Sequence, residues 1–415
     1  MPRITCILLL SSLFVFGAAP AEQVYAATTI TVNTFNDELN TDGDCSLREA
    51  IRAANLNVSV DACPAGSGDD SIRLSAGTYT LAIAGQNEDA ALTGDLDISG
   101  ADHLTIQGVG ASTTIVDGGG IDRVFDIVGA SSSASISNLT IQNGQVPSGQ
   151  GGGGIRNVGT LTLDRAIIQH NRTNGTNSYD IGGGICNGCG TGTGTLTLLN
   201  SIVSGNTADR GGGLFSNATL IITGSSIISN TASSGGGLVN YATSGGSATL
   251  TNSTISGNTS TSGTGGISQN AGALTITNST ISGNSGPVVG GFDHSGGTST
   301  LRNTIIANSA PGADCLISGT ITSSGHNLSS DSSCGFTAGG DLQNTNPLLG
   351  PLAANGGPTP THALLPGSPA FGAGTNTGCP ATDQRGISRP QGILCDIGAY
   401  ERVVAQTVFL PLVAK

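Results

Sequence analysis

The chain has 415 residues, a formal net charge of −13 and 10% charged side chains, against about 25% in ordinary soluble proteins. Its single lysine is Lys415, so no basic face can be assembled and nucleic acid is excluded as a partner. Hydrophobic residues make up 37% of the chain and there are 66 glycines, which favours a repetitive β structure over disorder.

Residues 1–27 are expected to form a signal peptide. Arg3 supplies the positive charge, an apolar run follows, and small residues end the segment. The run is shorter than the roughly 18–20 apolar residues of a spanning helix, and no later stretch reaches that length. The sequence therefore predicts an exported protein, secreted or at the cell surface, without a transmembrane span in the mature chain.

Residues 28–67 contain the one segment with helical character, CSLREAIRAAN, which begins at Cys45. Ser46 and Glu49 have the spacing of a capping box at a helix N-terminus. Leu47 and Ile51 belong to its apolar stripe. We expect this helix to cover the first coil of a solenoid and to protect strand edges that would otherwise invite aggregation.

Residues 68–340 are repetitive. The phrase Gly-Gly-Gly-Ile/Leu ends at Ile155, Ile185, Leu214 and Leu238, and each copy is followed by alternating threonine and leucine, as in TLTLLNSIVSGN at 195–206. Alternation with period two indicates strands with one buried face. Short strands repeating about every 25 residues predict an all-β fold, a right-handed parallel β-helix.

One asparagine closes each repeat, and we expect these residues to stack as a ladder of amides along the helix axis. The predicted ladder comprises Asn143, Asn171, Asn206, Asn230, Asn258, Asn284 and Asn308.

The C-terminal part has a different composition. Residues 341–402 are rich in proline and glycine and predict a module of turns and short strands. Residues 403–415 are expected to form one more strand or an export-linked tail.

Eight cysteines follow the signal segment, and an even count in an exported chain favours disulfides. Proximity in sequence suggests four local pairs: Cys45 with Cys63, Cys186 with Cys189, Cys315 with Cys334, and Cys379 with Cys395. The CNGC stretch at 186–189 has a redox or zinc motif as its alternative. Zinc needs two further ligands, and no Cys or His lies close in sequence, so no metal is expected there.

Several motifs resemble known bacterial families. CSLREA at 45–50 resembles the motif of the CSLREA domain, and residues 341–401 resemble the choice-of-anchor Q module through NPLLGPLAANGG, LLPGSPA, TDQRG and CDIGAYE. The glycine repeats resemble those of polymorphic outer-membrane β-helix proteins. Gly372 stands where the module's motif has aspartate. The resemblance implies an exported surface or extracellular protein and no established reaction.

Two aspartates are the candidate catalytic residues. Asp180 and Asp209 each lie five residues before the apolar end of a glycine phrase, which places them one coil apart. Paired carboxylates suit glycosidase chemistry or a Ca²⁺ site, and Arg210, His170 and Arg172 lie nearby. Later coils carry serine at this point, so we interpret both aspartates as solvated turn residues, with Arg210 paired to a neighbouring aspartate.

Two further site patterns are weighed and set aside. Asn40, Asp42 and Asp44 look like a calcium loop, but the glycine and the closing glutamate fall in the wrong places. Pairs such as Thr195 and Thr197 suggest a threonine face of the ice-binding kind, with columns that serine and asparagine interrupt. No cofactor is expected, and Ca²⁺ is kept only as an alternative.

The sequence thus predicts a secreted or cell-surface β-helix scaffold. We expect an adhesin-like interaction protein without catalytic activity, and an extracellular polysaccharide or a cell-surface component as its partner. The alternative is a carbohydrate-active β-helix enzyme, a polysaccharide lyase or glycoside hydrolase, since the fold alone does not decide function.

Overall fold

A computed structural model describes residues 27–100, 102–177, 179–243 and 245–403. The predicted signal peptide, apart from Ala27, and the tail after Val403 lie outside these residues. Parallel strands stack into a solenoid, the right-handed parallel β-helix that the repeats predict. Among the described helices, none has both the length and the apolar character needed to cross a bilayer.

Two long parallel sheets form two sides of the solenoid. The strands of the first sheet, as described, are Thr29–Thr31, Ser71–Arg73, His103–Gln107, Ser133–Ser137, Thr160–Asp164, Thr195–Leu199, Thr219–Thr223, Ser247–Thr251, Ala273–Thr277, Thr298–Arg302 and Ile321–Ser323. Those of the second sheet are Gly77–Thr80, Thr114–Asp117, Thr140–Gln142, Ile167–Gln169, Ile202–Ser204, Ser226–Ile228, Thr254–Ser256, Thr280–Ser282, Ile305–Ala307 and Leu328–Ser329.

Two further parallel sheets complete the coils. The third sheet, again within the described chain, consists of Leu96–Ile98, Phe125–Ile127, Ile155–Asn157, Ile185–Asn187, Leu214–Ser216, Leu238–Tyr241, Ile267–Ala271, Val289–His294 and Ala313–Ile317. The fourth and shortest consists of Gln145–Val146, Arg172–Thr173, Thr207–Arg210, Thr231–Ser234 and Thr259–Ser260.

Aliphatic side chains fill the interior, one or two from each strand. Leu196 and Leu198 of the first sheet are fully buried, as their alternation with threonine predicts. In register with them, Leu161 and Leu163 lie one coil earlier, and the pattern continues through the stack. Each buried Leu or Ile contributes roughly 1.5–3 kcal/mol, so the core depends on this column-wise repetition.

The glycine phrases mark a corner where adjacent coils approach by backbone alone. The Gly212 N–H donates to Gly235 O at 3.1 Å, and equivalent bonds join the neighbouring copies. A Cβ on Gly213 would lie 2.7 Å from Gly237 O and 2.8 Å from Asn230 Nδ2. The repeat therefore needs glycine because no other residue leaves room for the next coil.

The asparagine ladder is confirmed for its buried members. Asn206 Nδ2 donates to Asn230 Oδ1 at 3.0 Å, and Asn230 Nδ2 donates to Asn258 Oδ1 at 3.0 Å. Each of these three amides also donates to a main-chain oxygen of a neighbouring coil, as Asn230 does to Val203 O at 3.0 Å. The ladder's members are Asn171, Asn206, Asn230, Asn258 and Asn284.

The prediction is wrong for the two outer asparagines. Asn143 and Asn308 are exposed and have φ of 57° and 59°, in the left-handed region. Strand register aligns Asn143 with His170, which precedes the ladder residue Asn171. Asparagine tolerates left-handed backbone, so these two occupy the corner position rather than the ladder.

The predicted helix is present and spans Leu47–Leu56. Its capping box is confirmed: Ser46 Oγ accepts from Glu49 N at 3.2 Å, and Glu49 Oε2 accepts from Ser46 N at 3.0 Å. Leu47 and Ile51 join the main hydrophobic core. Asn55 Nδ2 donates to Asp97 O at 2.7 Å, so the helix lies along Leu96–Ile98, the edge strand of the third sheet.

All four predicted disulfides are formed: Cys45–Cys63, Cys186–Cys189, Cys315–Cys334 and Cys379–Cys395. The first joins the start of the helix to the loop that follows it. Disulfides are typical of oxidising compartments and are compatible with an extracellular protein.

The proline- and glycine-rich residues fold back along the side of the solenoid. Their one regular pairing within the described chain is the antiparallel hairpin of Leu349–Ala353 and Thr361–Leu364. Gln384 Oε1 accepts from Thr254 Oγ1 at 2.6 Å, and His362 Nε2 lies 2.9 Å from Ser256 Oγ. This segment therefore covers the outer face of the second sheet in the later coils.

Candidate acidic site and hydroxyl face

A column of outward positions on the third sheet carries charge in the first coils. The register pairs Asp97 with Asp126 and Asp126 with Arg156, each at the centre of a three-residue strand. The flanking residues Leu96 and Ile98 point into the core, so the aspartate between them points outward. Stacking thus sets the two aspartates on adjacent strands, about 4.8 Å apart.

The loop before the first of these strands folds over the aspartates. Ala91 N donates to Asp97 Oδ2 at 2.7 Å, while Glu88 accepts the N–H groups of Leu92 and Thr93 at 2.7 and 2.9 Å. Asp97 consequently has 0% exposure. Its other oxygen, Oδ1, has no hydrogen-bond partner among the described residues.

Two arginines neutralise part of the negative charge. Arg123 Nη1 lies 2.8 Å from Asp95 Oδ2 and 3.2 Å from Asp126 Oδ2. Arg156 Nη2 lies 2.7 Å from Asp126 Oδ2 and 3.8 Å from Asp89 Oδ1. Asp97 takes part in no ion pair among the described residues.

Burial shifts the titration of these carboxyl groups upward. Burial, with a smaller contribution from the Asp95 carboxylate, raises the pKa of Asp97 to about 9. Burial also raises the pKa of Asp95 to about 7, against the opposing effect of Arg123. At neutral pH Asp97 therefore carries a proton, which suits a hydrogen-bond donor or a general acid.

An open cavity of about 410 Å³ lies beside these residues, and its charged lining residues are Glu88, Asp89, Arg123 and Arg156. Arg123 Nη2 donates to Gln150 Oε1 at 2.7 Å, and Gln150 Nε2 donates to Asn87 Oδ1 at 2.9 Å across it. Tyr179 forms part of the far wall and is 69% exposed. We call this cavity, with Glu88, Asp89, Asp95, Asp97, Asp126, Arg123 and Arg156, the acidic site.

The described chain contains four sets of three acidic residues whose carboxylate oxygens lie within 4.8 Å of one another. Two belong to the acidic site and share Asp97: Glu88 with Asp95 and Asp97, and Asp89 with Asp97 and Asp126. The other two share Asp44 and lie beside the N-terminal helix: Glu38 with Asp42 and Asp44, and Asp44 with Glu49 and Asp61.

Asp180 and Asp209 lie one coil apart, as counted from the repeat. Ile181 bridges Arg210 in parallel, and Asp209 N donates to Asp180 O at 2.9 Å. Asp180 is fully buried, so its interpretation as a solvated residue is wrong. Its carboxylate accepts from Gly149 N at 2.7 Å and Asn177 N at 2.8 Å, and thus holds two loops together.

The cationic residues near this pair have other contacts. Arg210 takes part in no ion pair within the described chain; its guanidinium carbon lies 5.6 Å from the Phe215 ring centre and 5.4 Å from that of Tyr241. The expected pairing with aspartate is therefore wrong. His170 and Arg172 line a separate cavity of about 420 Å³ at another corner of the coil.

The outer face of the first sheet is a second candidate surface. Its central outward column carries a hydroxyl side chain in ten of the eleven described strands, with Ile221 as the interruption. Each member is at least partly exposed. The column, with its threonine-rich neighbours, is called the hydroxyl face; its members are Thr29, Ser71, Thr105, Ser135, Thr162, Thr197, Ile221, Thr249, Thr275, Thr300 and Thr322.

The charged residues of the C-terminal motifs have structural roles. Arg389 pairs with Glu401 at 3.0 Å, both nearly free of solvent contact, and Arg385 pairs with Asp383 at 2.7 Å. The Arg385 guanidinium carbon also lies 3.5 Å from the Tyr400 ring centre. TDQRG and CDIGAYE therefore supply the contacts that fix this segment.

No protein-family model matches the chain, and no curated protein matches it. Among solved structures, the chain is similar to one described as the crystal structure of pectate lyase Pel9A. The two are 16% identical with a TM-score of 0.44, and the match covers 92% of this chain and 98% of that chain. A likeness of this strength carries no functional argument, and the fold assignment rests on the strand pairing described above.

Proposed function

We propose that the protein is a secreted or cell-surface β-helix scaffold, an adhesin-like interaction protein whose hydroxyl face binds an extracellular polysaccharide without cleaving it. The observation that carries the proposal is the register of this face. Ten hydroxyl side chains share one outward column in the described coils. The CSLREA and choice-of-anchor Q resemblances, which also imply an exported surface protein, belong to the same proposal.

The geometry suits a long ligand with repeated hydroxyl groups. Eleven stacked strands about 4.8 Å apart extend over roughly 48 Å. A single neutral hydrogen bond contributes only about 0.5–1.5 kcal/mol after exchange with water. Binding must then accumulate over many contacts, so affinity should rise with polymer length until the ligand spans the face.

The solenoid keeps the hydroxyls in place before any ligand arrives. Buried leucines such as Leu198 and Leu250 anchor the strands from inside, and the amide ladder ties successive coils together. A preformed surface loses little side-chain entropy on association, and threonine has few rotamers to lose. Weak individual contacts can therefore add up to specific binding.

A glycan panel probed with the full chain tests this proposal. Thr197→Lys and Thr249→Lys place long cations on the hydroxyl face, and Thr231→Lys makes the same change at an exposed position of the fourth sheet. We expect binding that grows with chain length, falls at least tenfold in the first two variants and persists in the third. Equal binding by all four proteins refutes the proposal, and inhibition of ice recrystallisation without glycan binding would make ice the partner.

A second candidate function is a carbohydrate-active enzyme, which the acidic site favours. Asp97 is protonated at neutral pH, and Arg123 and Arg156, which bind the neighbouring Asp126, line the adjoining cavity. A buried carboxylic acid beside guanidinium groups is an arrangement that catalytic sites use. Cleavage of a panel polysaccharide by the parent protein, abolished in Asp97→Asn, would establish this function.

A further inference from the structure

The loop before the N-terminal helix has the spacing of a calcium-binding loop when it is counted from Glu38. Asn40 and Asp42 then occupy positions three and five, Gly43 position six and Glu49 position twelve. These are the positions at which twelve-residue calcium loops place oxygen ligands, a turn glycine and a closing bidentate glutamate. Counting from Asn40 hides this register, and the glutamate at position one replaces the usual aspartate.

The structure brings these side chains to one place. Ligand atoms of Glu38, Asp42 and Asp44 lie within 4.8 Å of one another, and so do those of Asp44, Glu49 and Asp61. Asn40 Nδ2 lies 3.0 Å from Glu38 Oε2 and 3.1 Å from Asp42 Oδ2, and a flip of this amide presents its oxygen to the same point.

Two oxygens in the cluster point to a ligand. Glu38 Oε1 and Asp44 Oδ1 each expose less than 1 Å² to solvent and accept no hydrogen bond from the described residues. A carboxylate oxygen withdrawn from water without a partner is costly. Glu38 and Asp44 belong to the same triad of carboxylates, so a cation bound by that triad would satisfy both.

The surrounding charges favour a cation. The five carboxylates Glu38, Asp42, Asp44, Glu49 and Asp61 form no ion pair within the described chain. The nearest arginine on the helix, Arg48, is bound to Asp37 at 2.6 Å and to main-chain oxygens. Five carboxylates and an amide match the six to eight oxygen ligands of Ca²⁺.

The helix that follows also has the expected position. Ser46, at position nine, is the N-cap, and the helix begins at position ten with Leu47. Glu49 uses Oε2 for the capping box and Oε1 to accept from Asn40 N at 3.2 Å. Carboxylate oxygens have further lone pairs, so both oxygens remain able to bind a metal ion.

We propose that Glu38, Asn40, Asp42, Asp44, Glu49 and Asp61 bind one Ca²⁺ ion, which fastens the N-terminal helix over the solenoid. The ion adds a second tie to the Cys45–Cys63 disulfide at the same place. Calcium loops of extracellular modules have Kd values of roughly 10⁻⁴–10⁻³ M, and we expect that range here. The site is independent of the polysaccharide proposal.

The test is calorimetric titration of the chelator-treated full chain with Ca²⁺, together with thermal melts in Ca²⁺ and in chelator. Asp44→Asn and Glu38→Gln remove one loop ligand each. Asp102→Asn makes the same charge change at an exposed position, and Asp97→Asn alters the acidic site. We expect one ion bound, a higher Tm with Ca²⁺, and affinity at least tenfold weaker in the two loop variants alone.

Melts in chelator show that the variants are folded, because removing one like charge should leave or raise the Tm there. If Asp44→Asn has a lower Tm than the parent in chelator, the Ca²⁺ affinity of Glu38→Gln is the measurement that tests the site. Absence of Ca²⁺ binding by the parent overturns the proposal. Binding lost only in Asp97→Asn, or retained in both loop variants, overturns it as well.

Discussion

Replacement of Asn230 by alanine tests the amide ladder at its centre. Asn230 Oδ1 accepts from Asn206 N and Asn206 Nδ2, both at 3.0 Å. Its Nδ2 donates to Asn258 Oδ1 and Val203 O, both at 3.0 Å. All four bonds are buried, so truncation removes them without giving water access to the groups left behind.

The expected loss follows from those orphaned groups. Asn206 N loses its side-chain acceptor, and Val203 O loses one donor, whereas Asn206 Nδ2 still donates to Ile168 O. A buried polar group left unsatisfied costs about 1–3 kcal/mol. We therefore expect Asn230→Ala to lower the free energy of unfolding by about 3–5 kcal/mol.

Urea unfolding at fixed pH, followed by circular dichroism, measures the change as a shift in midpoint. Asn143→Gly is the matched control, because Asn143 is exposed, has φ of 57° and makes one side-chain bond to Asp117. Glycine keeps that backbone accessible, and we expect a change below about 1 kcal/mol. A loss under about 1 kcal/mol for Asn230→Ala, or an equal loss for Asn143→Gly, would refute the ladder's role.

Three further substitutions test the corner, the buried loop aspartate and the acidic site. Gly213→Ala should cost about 1–3 kcal/mol because its Cβ meets Gly237 O, whereas Gly392→Ala, with open space around it, should be near neutral in the same urea assay. Asp180→Asn should cost about 1–3 kcal/mol, since an amide nitrogen would face a donor N–H, and Asp209→Asn should cost below about 0.5 kcal/mol; equal effects would contradict the burial of Asp180. Burial raises the pKa of Asp97 to about 9 in the folded protein, against about 4 in the unfolded chain. The contribution of this carboxyl group to the free energy of unfolding is therefore fully present below about pH 4 and is lost as the pH rises to about 9. Asp97→Asn should remove this pH dependence, and its free energy of unfolding at pH 9 should exceed that of the parent by about 2–4 kcal/mol. Parallel profiles of stability against pH for the two proteins would contradict the assignment.

The fold could be predicted because each coil repeats the same physical requirements. Threonine–leucine alternation marks one buried face, and the glycine phrase marks a corner without room for Cβ atoms. The position of Asn143 could not be derived from the repeat. The left-handed corner and the ladder both accept asparagine, and only strand register separates them.

The acidic site was not predicted from sequence because its members share no motif. Asp97, Asp126 and Arg156 come from the triads LDI, FDI and IRN, one per coil. The signal in the sequence was the central residue of each triad, because a residue between two buried positions of a strand points outward. The burial of Asp180 depends on its contacts with Gly149 N and Asn177 N, which no local pattern indicates.

Size analysis of a polysaccharide that the panel identifies tests the central claim most directly. The bound polymer is incubated with the parent protein, Thr197→Lys and Asp97→Asn, and its length and new chain ends are measured over time. The scaffold account predicts binding by the parent and by Asp97→Asn, weak binding by Thr197→Lys, and unchanged polymer length throughout. Shortening of the polymer by the parent that disappears in Asp97→Asn would contradict it.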